Sequence, residues 1–167
     1  MRVIGIDPGY AIVGFGVVDY ARCKFSVVGY GSITTDAGTP FHLRLLTVYE
    51  DLCAVLDKYK PDHMAVEKLF FNTNEKTAIN VAQARGVTVL PAVQRGILLR
   101  EYTPLQVKTN ITGYGRAEKQ QVQEMTKLLL HLKEIPKPDD VADALALAIT
   151  HARLFTTLTQ LEEQCGR

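Results

Sequence analysis

The chain has 167 residues, 47% of them hydrophobic, which is enough for one domain with a real core. Three widely separated cysteines, Cys23, Cys53 and Cys165, lack CxxC spacing, which argues against a disulfide framework or zinc site and for a reducing compartment. Asp7 interrupts the first apolar run before a signal-peptide core can form, and no apolar stretch approaches a membrane span, so a cytoplasmic protein without membrane association is expected.

In chain order, residues 2–7, 11–19 and 24–34 are rich in Val, Ile, Phe and Tyr. PG and a polar turn around Arg22 separate them, and they read as three strands in an antiparallel meander. Gly5, Gly9, Gly14 and Gly16 weaken strand propensity and point to close backbone approach or tight turns. PFHLRLLTVYEDLCAVLDKYK then places Leu45, Val48, Leu52, Val55 and Leu56 at helical spacing, stopped by Pro61. HMAVEKLF is a short fourth strand. Residues 74–95 recur helically, with Gly86 and Pro91 expected to bend the helix or loosen a turn. LLREYTP reads as a fifth strand running into a short helix from Pro104. Residues 117–132 form an amphipathic helix with Val122, Met125, Leu128, Leu129 and Leu132 inward, and a last helix starts at PDDVADALALAITHA. The expectation is a mixed α/β domain with helices on both faces of the sheet.

The net charge of +1 decides nothing, but its distribution is uneven: residues 95–137 hold eight bases and four acids. A basic half beside acids elsewhere fits a phosphate-binding surface next to an acidic site, although on charge alone an ordinary mixed surface is the preferred reading.

The acids form a pattern. Asp7 and Glu67 stand near the C-terminal ends of two strands, and Asp140 and Asp143 share one face at the start of the last helix. Small residues along that helix let it lie close to the sheet, which could gather all four carboxylates. Clustered carboxylates raise one another's pKa, and two divalent cations with a preference for oxygen ligands would remove the conflict. Each acid also has a plainer reading. Asp7 before Pro8-Gly9 fits a turn, Glu67 fits a solvated strand end, and Asp139, Asp140 and Asp143 fit charges at a helix N-terminus. His63, His131 and His151 read as surface or packing residues.

IGIDPGYAIVGFGVV, AVEKLFF, VAQARGV, QVKTNITGYGRAEKQQV and DDVADALALAITHA occur in that order. Over residues 2–153 the chain resembles the RuvC family, the crossover-junction (Holliday-junction) endodeoxyribonucleases of bacteria. The resemblance implies a ribonuclease-H-like mixed five-stranded sheet flanked by helices on both faces, in one nuclease domain over residues 1–155. Residues 156–167 are a tail outside the matching blocks. It implies a homodimer that makes paired, symmetric incisions in four-way junction DNA, leaving 5′-phosphate and 3′-hydroxyl ends, with the RuvA–RuvB branch-migration complex as partner.

By that resemblance Asp7, Glu67, Asp140 and Asp143 are the catalytic acids and hold two Mg²⁺ per subunit, with Mn²⁺ as substitute. Some relatives use His at the first DxxD position; this chain keeps Asp. The resemblance also implies that Phe70 stacks on bases near the junction centre, with Asn72 and Asn74 in the same loop. Lys108 and Lys119 would lie near phosphates, with Arg116 and Arg85 as further DNA contacts. The Ala/Val-rich helix over 77–94 is the expected dimer face, because its apolar side exceeds what one small sheet can cover.

Two other classes remain open on the sequence. Actin-like phosphotransferases also begin IGIDxG, but they need two such domains around a cleft. A catalytically silent junction-binding module would keep the surface without the chemistry, and four intact acids count against it.

Overall fold

The computed structural model describes residues 1–68 and 75–165. Strands β1 (Arg2–Asp7), β2 (Ile12–Ala21) and β3 (Lys24–Thr34) form the antiparallel meander. Its second turn uses Arg22 and Cys23 at φ 51° and 61°. Next come α1 (Phe41–Tyr59), β4 (His63–Glu67), α2 (Glu75–Gln94) and β5 (Leu98–Tyr102). Strand β4 lies parallel to β1, and β5 parallel to β4, so the sheet runs β3-β2-β1-β4-β5. The helices α3 (Pro104–Thr112), α4 (Lys119–Leu129) and α5 (Asp139–Cys165) complete the chain. The last helix therefore carries on beyond residue 155 into the expected tail.

Alternation along the strands divides the core in two. Ile4, Ile6 and Met64 point to one face, where Val48, Leu52 and Leu56 of α1 and Ala92 of α2 cover them. Val3, Ala65 and Tyr102 point to the other, under α5, with α3 and α4 outside it. Each fully buried Leu or Ile contributes about 1.5–3 kcal/mol, and α5 supplies Leu145 and Ile149 amid Ala142, Ala144, Ala146, Ala148 and Ala152. Those alanines let the helix lie low on the sheet. At Gly5 a Cβ would stand 1.9 Å from the Ala144 carbonyl oxygen, and at Gly14 2.1 Å from that of Asp140. The N-terminal half of α5 thus rests on bare strand backbone.

Two details, both in α4, differ from the sequence expectation. Helix α4 begins at Lys119, behind a capping box of Glu118 and Gln121, and ends at Leu129. Leu128 is exposed rather than inward. Helix α2 continues through Gly86 and carries Pro91 inside its last turns. Among the described residues no helix is long and apolar enough to cross a membrane, and Cys23 and Cys53 are free thiols.

Candidate active site

Asp7 closes β1 and Glu67 closes β4, and the parallel register places them side by side, one step past the Ile6–Val66 pair. Asp7 shares its strand face with Val3 and Gly5, so it looks toward α5. Its partner across β2 is Gly14, over which the Asp140 backbone sits. Two bare positions therefore bring the start of α5 down onto the ends of β1 and β4, and Asp143 arrives with it.

The electrostatics register this convergence. The Asp7 carboxyl is pushed up to about 7, first by burial, then by Asp143, Glu67 and Asp140, with Lys119 acting in the opposite sense. Glu67 is raised by burial and by Asp143. Asp143 is also raised by burial, partly offset by Lys119. A site that holds its acids this high is short of positive charge. Lys119 Nζ donates to Asp143 Oδ2 at 2.9 Å and acts on Asp7, Glu67 and Asp143 alike.

The donors fit a hard divalent ion in kind: all are carboxylate oxygens, anionic and under-compensated. As the side chains stand, with Lys119 drawn in to Asp143, no three His, Cys, Asp or Glu groups among the described residues are gathered closely enough to clasp an ion. The Lys119 ammonium is a counter-charge to Asp143.

Beside the acids opens a cavity of about 280 Å³. Glu67, Asp143, Lys108 and Lys119 line it over an apolar floor of Pro104, Val107, Val122, Ala146 and Leu147. Capping fixes both lysines. Thr103 and Gln106 form a capping box that starts α3, which carries Lys108, and the Glu118 box starts α4 one residue before Lys119. Arg116 is exposed in the turn between them, and among the described residues neither Lys108 nor Arg116 has a carboxylate partner.

Arg85, by contrast, is bonded to Glu101 and ties α2 to β5. Phe70, Asn72 and Asn74 lie outside the described residues.

Three arrangements near the site were not foreseen from the sequence. Lys119 and Asp143 are 24 residues apart, so no periodicity announces their ion pair. Arg44, one helical turn into α1, is buried, donating to Thr35 Oγ1 and the Tyr10 carbonyl and lying 5.0 Å from the centre of the Tyr10 ring. It pins the turn that follows Asp7. Finally, Tyr102, the register partner of Glu67, heads a buried chain: its hydroxyl is 2.9 Å from His151 Nδ1, and His151 Nε2 is 2.8 Å from His63 Nδ1. Burial, His63 and Arg100 hold the His151 imidazole down to about 4, so it is neutral.

A mixed five-stranded sheet with acids at the ends of its first and fourth strands, faced by an acid-bearing last helix, defines a nuclease of the ribonuclease-H-like class. The model of the crossover junction endodeoxyribonuclease RuvC family matches residues 3–151, and the chain belongs to that family, whose members are metal-dependent hydrolases. It is 59% identical over 162 residues to the crossover junction endodeoxyribonuclease RuvC of Brevibacillus brevis, covering 96% of this chain and 98% of that protein. To that of Caldanaerobacter subterraneus it is 55% identical over 161 residues, with coverage of 96% and 98%. Among solved structures, T. thermophilus RuvC in complex with a Holliday junction substrate superposes with a TM-score of 0.86 at 36% identity, covering 91% of this chain and 93% of that one. The yeast mitochondrial Holliday junction resolvase Ydc2, at 14% identity and a TM-score of 0.73 over 98% of this chain and 82% of that one, shares the fold.

Proposed function

We propose that this protein resolves four-way DNA junctions by paired, symmetric phosphodiester hydrolysis, with Asp7, Glu67, Asp140 and Asp143 as its catalytic acids. The observation that carries the reading is the convergence of carboxylates from β1, β4 and α5, which lifts Asp7 to about 7. Such a cluster is unfavourable unless it serves to concentrate positive charge. The four acids would hold two Mg²⁺ per subunit, or Mn²⁺ in their place. When bound, the ions would supply Lewis-acid activation of water and of the leaving 3′ oxygen.

The chain's own residues do the rest. The strand ends and the low-lying α5 fix the backbone positions from which the carboxylates converge, so closing on an ion would need side-chain movement and no rearrangement of the fold. Lys108 and Arg116, without acidic partners among the described residues, would receive backbone phosphates alongside the cavity. Phe70, Asn72 and Asn74 belong to this reading as contacts to the junction. Arg85 is a weaker contact, because Glu101 already engages it.

Two equivalent strands must be cut, and a two-fold protein axis would present two equal sites. The outward apolar side chains of α2 (Ile79, Leu90, Val93) and of α1 (Leu43, Leu46) support a second copy seated there. We place the homodimer in the cytoplasm, working with the RuvA–RuvB complex on chromosomal junctions.

The test is a synthetic four-way junction beside its linear duplex, in Mg²⁺. Symmetric nicks in the junction, religatable ends and a largely intact duplex are expected. Asp7→Asn should lose cleavage and keep junction binding. Equal cutting of junction and duplex would remove the substrate assignment.

A further inference from the structure

Lys119 stands at an unusual place for a cation. It is the first residue of α4, where the exposed backbone N–H groups and the helix dipole favour negative charge. Partial desolvation of this largely exposed side chain works against the charged form, yet Asp143, Asp139 and Asp7 together outweigh it and raise the pKa. The lysine is therefore held by α5.

It is held by two seats. Lys119 Nζ is 2.9 Å from Asp143 Oδ2 and 3.8 Å from Asp139 Oδ2. Asp139 and Asp143 are four residues apart, one turn along the same face of α5. The other oxygen of Asp139 is taken by Lys137 Nζ at 2.6 Å, which steadies the carboxylate with Oδ2 toward Lys119. The two acids differ in company: the carboxylates acting on Asp7 are Asp143, Glu67 and Asp140. Asp139 is not among these three; it acts on Asp143 and has lysines on both sides.

We infer that Asp139 is the resting seat of Lys119 when a divalent cation takes Asp143, so that the lysine and the cation exchange places without either leaving a carboxylate bare. This rests on the reading of the four acids as the metal-holding set. A dication at Asp143 would repel an ammonium only a few ångströms away. Shortening the 3.8 Å separation to a charge-assisted bond of about 2.8 Å requires a shift of about 1 Å, within reach of a lysine side-chain rotation. Asp139 is in this sense a positioning residue: it touches no reacting atom and acts through Lys119. Its effect is to make cation binding easier than a lysine-blocked cluster would allow.

The experiment measures Mn²⁺ binding to the DNA-free protein from the loss of the free-ion electron paramagnetic resonance signal, so no catalysis is involved. Wild type, Asp139→Asn, Lys119→Met and the double variant form a cycle. Asp139→Asn should weaken Mn²⁺ binding about three- to tenfold, as expected for losing one charge-assisted partner. In the Lys119→Met background the same change should cost less than about twofold, and Asp139→Glu should restore binding in the presence of Lys119. Equal losses in both backgrounds, or no loss in the first, would overturn the inference by making Asp139 a distant charge or a bystander. The underlying site reading fails separately: it falls, and the inference with it, where wild type binds no Mn²⁺ or where Asp7→Asn binds it equally well. Asp7-dependent binding with an uncoupled cycle overturns the inference alone.

Discussion

Substituting Gly5 by alanine tests whether the catalytic geometry depends on bare backbone. A Cβ there would lie 1.9 Å from the Ala144 carbonyl oxygen, 2.8 Å from the Ala148 nitrogen and 2.9 Å from the Ala144 carbonyl carbon. All three are backbone atoms of α5, so no side chain can rotate away. Restoring an ordinary 3.4 Å contact requires α5 and β1 to part by about 1.5 Å. Overpacking of this kind costs about 1–3 kcal/mol, and a clash with a helix backbone belongs at the upper end. For a chain of this size that is a fall of about 6–12 °C in melting temperature. The same shift separates Asp140 and Asp143 from Asp7 and Glu67. Because a 1 Å misplacement in a catalytic array can cost about 10²-fold in rate, Gly5→Ala should cleave junctions about 100 times more slowly while still binding them. Thermal unfolding, junction cleavage and gel-shift binding measured together check this. Wild-type cleavage and an unchanged melting temperature would refute the argument that α5 rests on Gly5.

Gly38→Ala, away from both α5 and the proposed dimer face, is the matching control. A Cβ there meets only the Asp36 carboxylate, at an ordinary 3.6 Å, so the substitution should change stability by less than about 1 kcal/mol and leave cleavage unchanged. His151 should make folding acid-sensitive. Its folded pKa of about 4 lies below the unfolded value of 6.5, so its contribution is complete above pH 6.5 and is lost as pH falls toward 4. The loss is about 3 kcal/mol. Melting temperatures from pH 7.5 to 4 should fall less steeply in His151→Gln, which is also less stable at pH 7.5; parallel slopes would exclude the imidazole as the cause. Lys108→Gln should weaken junction binding and lower the log–log salt slope by about 0.9. A slope equal to that of wild type would show that Lys108 meets no phosphate.

The elements were legible where local chemistry is strong. Pro8-Gly9 and the turn at Arg22 divide three β-branched runs, and the meander follows from them. Helix α4 was read too long because Ala117 and Leu132 are apolar. The cap at Glu118 and the left-handed His131, at φ 53°, bound the helix more tightly than hydrophobicity does. The acids could be seen as candidates, but each had a plainer explanation, and only the family resemblance singled them out. What brings them together is the contact of Gly5 and Gly14 with α5. The glycines and the small residues of the last helix each announced close approach, without showing which glycine would meet which helical carbonyl. Arg44 and Lys119 were invisible as structural residues, because a charged side chain is ordinarily assigned to solvent. Their partners, Thr35 and the Tyr10 carbonyl, and Asp143, are distant in sequence or lie on the backbone, where periodicity carries no signal.

The docking of α5 also dictates when the protein becomes dangerous to DNA. A chain on the ribosome that has emerged only as far as residue 138 contains every strand of the sheet and both strand-end acids, yet lacks Asp140 and Asp143 and leaves the face that α5 covers bare. On the proposed assignment of the four acids, cutting waits for α5 to be synthesised and for a contact spanning more than 130 residues of chain, from Gly5 to Ala144. On the same assignment, a copy cut short before α5 is not a weak nuclease that nicks at random, because half of its acids are absent.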